Sequence, residues 1–105
     1  MSVWHEVQIE LARDAADELI LEQGEDAVLI GIRDLIAEAE DTATDLPEDN
    51  PAEAIACLDR SRKLLAEAVN KVPQSEEKPY RVLKNKLNRA QDALAKTKED
   101  FLSMA

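Results

Sequence analysis

Residues 80–101, YRVLKNKLNRAQDALAKTKEDF, decide the fold class. Tyr80, Leu83, Leu87, Ala90, Leu94, Thr97 and Phe101 recur there at alternating steps of three and four. Such a row lies along one side of an α-helix. Sustained over three heptads, it is the pattern of a seam packed against other helices. Pro79 suits a first turn, where its missing N–H is not needed, and Ser75 or Lys78 stands at the cap. A helix over about residues 76–103 is therefore predicted.

The preceding segments follow the same rule. Asn50-Pro51-Ala52-Glu53 joins a capping Asn, a proline in the first turn and a Glu three residues past the cap. From it runs a predicted helix over 51–72, with a stripe of Ala54, Leu58, Ser61, Leu65, Ala68 and Val72, flanked by Ile55, Cys57, Leu64 and Val69, that stops at Pro73. Before it, residues 44–50 (Thr-Asp-Leu-Pro-Glu-Asp-Asn) form the clearest break. A helix over 25–44 is opened by Glu25 and Asp26, whose charge suits the positive end of the helix dipole. Its expected stripe is Val28, Ile32, Leu35, Ile36 and Ala39. The run Val28-Leu29-Ile30-Gly31-Ile32 also fits a buried strand, but no second strand is available to pair with it. Gly31 is expected to admit a close neighbouring helix. The first helix, 2–23, is capped by Ser2 and ended by Gly24, with an expected stripe of Trp4, Val7, Leu11, Ala15 and Leu19 beside Ala12, Ala16 and Ile20. Short connections between the first and second helices and between the third and fourth make two antiparallel hairpins. The expectation is all-α: one domain over 1–105, a small antiparallel four-helix bundle or two packed helical hairpins.

Composition bounds the rest. The chain has 105 residues and is 45% hydrophobic, enough for a packed core. Trp4, Tyr80 and Phe101 are the only aromatics, so the core must be aliphatic. Cys57 is the single cysteine, which excludes an internal disulfide and a cysteine metal cluster and fits a reducing, cytoplasmic setting. No signal-peptide pattern opens the chain, and the longest apolar stretch, Ala27 to Ile32, is far short of a membrane span. Net charge is −10 and unevenly placed. Residues 1–50 hold 15 acids against Arg13 and Arg33, whereas residues 51–105 hold 8 acids against 11 Lys and Arg. The acidic half repels phosphates and anionic membranes, so direct nucleic-acid and membrane binding are not expected.

The lone His5, in the first turn beside Trp4, is expected at the surface near a fraying end, and Cys57 as a buried structural thiol. Carboxylates are the abundant chemistry. Glu6, Glu10, Asp14 and Asp17 stripe the first helix; Asp34, Glu38, Asp41 and Asp45 stripe the second. Lys84 and Lys86 flank the Leu83–Leu87 seam and are expected to face these acidic helices. Apolar residues on more than one face near the first turn (Leu21, Leu29, Ile30), joined by Trp4, suggest self-association into a homodimer.

With no catalytic constellation or cofactor motif in view, the expected role is a non-enzymatic protein-interaction domain, adaptor or regulator, with a basic or nucleic-acid-binding protein as partner. The alternative is an acidic nucleic-acid mimic that blocks a basic groove on its target, such as a phage anti-defence protein. A third possibility comes from Glu22-x-x-Glu25 followed after twelve residues by Glu38-x-x-Asp41. That spacing resembles the motif of all-helical nucleoside triphosphate pyrophosphohydrolases. The resemblance implies Mg²⁺ held by four helical carboxylates, in keeping with the cation's preference for oxygen.

Overall fold

A computed structural model describes residues 4–104 as four helices: α1 (Trp4–Gln23), α2 (Ala27–Ala43), α3 (Pro51–Lys71) and α4 (Lys78–Met104). Ser2, the expected first cap, lies outside the described residues. Each helix packs on two others: α1 on α2, α2 on α3, α3 on α4, and α4 back on α1. Among the described residues the diagonal pairs bring no Cα atoms within 8 Å, so the bundle is square in section, a rod of about 44 × 20 × 19 Å. Contacts such as Ser61 with Ala39 and Lys98 with Asp59 run consecutive helices antiparallel.

The helix ends follow local chemistry. Gly24 takes φ +87 and its N–H reaches the carbonyl of Ile20 at 2.9 Å, a left-handed close that favours glycine. Asp26 is the cap of α2, accepting from the Val28 N–H at 2.7 Å. Glu25 therefore precedes the helix it was expected to open. Asn50 accepts from the Glu53 N–H at 3.2 Å with Pro51 in the first turn, as its sequence predicts. Before α4 the Ser75 hydroxyl accepts from the Glu77 N–H, and the helix starts at Lys78.

The core is mainly aliphatic, with Phe101 its one large aromatic, and is built from four rows at heptad spacing. They are His5, Ile9, Ala12, Ala16 and Leu19; Leu29, Ile32, Ile36, Ala39 and Ala43; Ala54, Leu58, Ser61, Leu65, Ala68 and Val72; and Leu83, Leu87, Ala90, Leu94, Thr97 and Phe101. The α3 row is that expected, and so is the α4 row from Leu83 onward; Tyr80, expected to start it, is half-buried against the core. In α2 Ile32, Ile36 and Ala39 are buried as expected, but Leu29 takes the place of Val28, which is exposed, and Leu35 is half-buried. In α1 the helix is turned so that Trp4, Val7 and Leu11 face outward. The reason is continuity. A row through residues 5, 9, 12, 16 and 19 holds heptad spacing without meeting a carboxylate, whereas the row Trp4, Val7, Leu11 reaches Ala15 and Leu19 only by three successive steps of four and, held to heptad spacing, runs into Asp14 and Glu18. A core row does not accept two unpaired carboxylates. Gly31 faces open space, with nothing within 4 Å of a built Cβ, so it admits no close neighbour. Cys57 is half-buried on the side of α3 rather than in its core row.

Candidate partner-binding face

α1 carries two rows on opposite sides. The inner row, which enters the core, is held at its start by His5. Far from lying at a fraying surface, the ring is 2% exposed, with Nε2 3.1 Å from the Ala43 carbonyl and Nδ1 3.1 Å from the Thr97 hydroxyl. A carbonyl only accepts, so Nε2 carries the proton and donates to it. The helical donor for Ala43 would be the N–H of residue 47, which is Pro47, and the chain has already left the helix at Thr44. The His5 ring replaces that missing donor. One side chain of α1 thereby ties α2 and α4 together and fixes the rotation of α1 about its axis.

That rotation decides what α1 shows to solvent. The outer row is Trp4, Val7, Leu11, Asp14, Glu18 and Leu21, again at alternating steps of three and four. Its apolar members are exposed by 56, 40, 38 and 84% respectively. Every large apolar residue of α1 that is exposed lies on it. A helix normally needs one apolar stripe; a second belongs to a helix with neighbours on both sides. Beside the row, α4 contributes Arg89, Asp92, Lys96 and Glu99 to a shallow groove floored by Gln8 and Ala93.

The acidic residues divide between two settings. Glu10 and Asp14 are exposed on α1, with Glu6 and Asp17 half-buried beside them. Asp34, Glu38 and Asp41 are exposed on α2, and Asp45 lies in the loop after it with φ 55. Between the two helices Arg13 pairs with Glu40. Burial pushes the Glu40 carboxyl above the ordinary carboxylate range. Arg13 opposes that rise, while Glu10, Asp41 and Asp14 reinforce it. The side of the bundle formed by α1 and α2 is thus a crowded acidic face, with Arg13 between the helices and Arg33 beside Asp34 as its cations.

The basic flank of α4 does not neutralise that face. Among the described residues the ion pairs that cross between helices join α1 to α2, through Arg13 and Glu40, and α3 to α4, through Asp59 and Lys98 at 2.9 Å. Lys84 and Lys86 close no pair with either acidic helix, a correction to the expected hairpin pairing. The square arrangement explains half of this, since α2 and α4 stand on a diagonal. On the shared α1–α4 edge, Glu18, Glu22 and Lys78 line one groove without reaching 4.0 Å.

The four acids of the pyrophosphohydrolase-like spacing are not brought together. Glu22 and Glu25 sit at the α1–α2 turn, and Glu38 lies about 20 Å along the chain axis from Glu25 at 1.5 Å per residue. Among the described residues no group of three or more His, Cys, Asp or Glu could hold a metal ion. The residues expected to self-associate are separated as well. Leu29 is in the core at 2% exposure, Ile30 is half-buried, and Trp4 and Leu21 sit near opposite ends of α1. Trp4 and Leu21 instead share the outer row with Val7 and Leu11, which the sequence reading had placed in the core. No helix of the described residues is long and apolar enough to cross a membrane. Comparison with known protein families, curated proteins and solved structures finds no match for the chain.

Proposed function

We propose that the protein is a non-enzymatic interaction domain that binds another protein through the outer face of α1. One observation carries this reading: α1 completes the core with its inner row and still presents Trp4, Val7, Leu11 and Leu21 in register on the opposite side. Exposed apolar residues in register are a hallmark of a surface that another molecule covers. Affinity capture from the source organism's lysate tests it. Wild type should retain a protein that the Val7→Glu, Leu11→Glu double variant loses. Retention of nothing beyond the bare matrix would refute it.

A second reading draws on the α2 carboxylates. Asp34, Glu38, Asp41 and Asp45 are exposed, and among the described residues only Asp34 has an ion-pair partner, its neighbour Arg33 at 3.5 Å. Such a face suits an acidic inhibitor that fills a basic, nucleic-acid-binding groove, as a phage anti-defence protein would. In the same capture, that target is released by salt and lost in the Glu38→Gln, Asp41→Asn, Asp45→Asn variant.

A further inference from the structure

The outer row of α1 is a heptad seam with its own charge code. Its ends are apolar and its fourth and fifth members, Asp14 and Glu18, are exposed carboxylates. In a helical seam such positions select the partner by what stands opposite them. A second copy of this chain meets the code badly. Antiparallel pairing of the full rows sets Val7 against Glu18 and Leu11 against Asp14. Parallel pairing sets Asp14 and Glu18 against themselves. Either alignment desolvates carboxylates without a counter-charge, which is strongly unfavourable. The net charge of −10 on each copy adds repulsion at longer range.

The flanks agree. Toward α2 the row is bordered by Glu10 and the acids gathered around Glu40. Toward α4 it is bordered by Arg89, Asp92, Lys96 and Glu99, which balance in sign. The acidic flank therefore sets the sign of the whole strip.

We infer that this seam docks a basic amphipathic helix of a partner protein. Its apolar side chains, spaced by three and four, cover Trp4, Val7, Leu11 and Leu21, and its Lys or Arg side chains stand opposite Asp14 and Glu18. The inference rests on the interaction reading above and adds the partner's chemistry. Trp4 is the only tryptophan in the chain and is 56% exposed, so its emission reports docking directly.

The test uses two synthetic helical peptides as long as α1, identical in their leucines and in net charge. One carries lysines at the two seam positions facing Asp14 and Glu18. The other carries glutamates there, with the difference balanced on its outer face. The lysine peptide should shift Trp4 emission to the blue and bind at least about tenfold more tightly than the glutamate peptide. The Asp14→Asn, Glu18→Gln variant should erase that preference, and Val7→Glu with Leu11→Glu should abolish binding. The Glu53→Gln, Glu67→Gln variant, changed on α3 diagonally across the bundle, should bind as wild type does. Equal binding of the two peptides overturns the inference. So does an unmoved Trp4 emission, a preference that survives Asp14→Asn, Glu18→Gln, or a dimer of the protein alone that Leu11→Glu dissolves. If lysate capture succeeds while the peptides fail, the interaction reading stands and the basic-helix partner does not.

Discussion

His5→Ala removes a side chain that hydrogen-bonds from α1 to both α2 and α4, and its cost can be worked from the geometry. The substitution takes the donor from the Ala43 carbonyl at 3.1 Å. No backbone N–H replaces it, because residue 47 is Pro47 and Thr44 has extended ψ of 146. A buried carbonyl left without a donor costs about 1–3 kcal/mol. The ring is 2% exposed, so its removal also leaves a void, worth about 1–2 kcal/mol for a side chain of this size once recovered polar desolvation is set against it. Together these give about 3 kcal/mol, a large share of the roughly 5–15 kcal/mol that holds a domain of this size. Urea denaturation followed by far-ultraviolet circular dichroism measures it, read as a lower midpoint at unchanged slope. In a thermal scan the same loss appears as a fall of about 10 °C or more. His5→Phe refills the void and should retain only the carbonyl penalty, which separates the two contributions. A loss below about 1 kcal/mol for His5→Ala would refute the reasoning, because that is the value for a side chain in solvent at a fraying end.

Four other outcomes follow from single positions. Ser61→Ala should cost less than about 1 kcal/mol by urea denaturation. Its hydroxyl donates to the Ala39 carbonyl at 2.9 Å, which lies inside α2 and keeps its helical donor, unlike that of Ala43. Gly31→Ala should stabilise by about 0.5–1 kcal/mol, since glycine is a poor helix former and an added Cβ meets nothing. Glu40→Gln should raise stability at neutral pH and lose that advantage as pH falls. With its folded pKa raised by burial, the native carboxyl holds its proton more tightly than the unfolded one, so the wild type loses stability as pH rises through that folded value. Denaturation midpoints of wild type and variant across pH check the sign. Asn50→Ala should cost about 1 kcal/mol by removing the acceptor of the Glu53 N–H.

The fold was legible because α3 and α4 each carry one apolar row that alternative rows do not rival. Leu58, Leu65, Leu83, Leu87 and Leu94 leave no second way to turn their helices. α1 was ambiguous because it carries two rows. Weighing apolarity alone favours Trp4, Val7 and Leu11, which are larger than Ala12 and Ala16. Following each row at heptad spacing resolves the choice, since the Trp4 row then runs into Asp14 and Glu18 and reaches Ala15 and Leu19 only by three successive steps of four. The outer row was thus available in the sequence once its own spacing was followed. The burial of His5 was less so. It depends on Pro47 lying one helical turn beyond Ala43, and on a neighbouring helix whose contact the sequence does not specify. The failure of Lys84 and Lys86 to reach the acidic helices has a similar origin. Charge at heptad flanks says which signs attract, but which helices share an edge is set by the order of packing around the square.

The two-row account of α1 makes folding and binding separable, and one variant tests both at once. Val7→Glu with Leu11→Glu should unfold in urea within about 0.5 kcal/mol of wild type, as surface substitutions do, while losing every protein that wild type retains from lysate. A loss of about 2 kcal/mol or more would place these residues in the core. Full retention of the partner would show that the outer row is not where the protein binds.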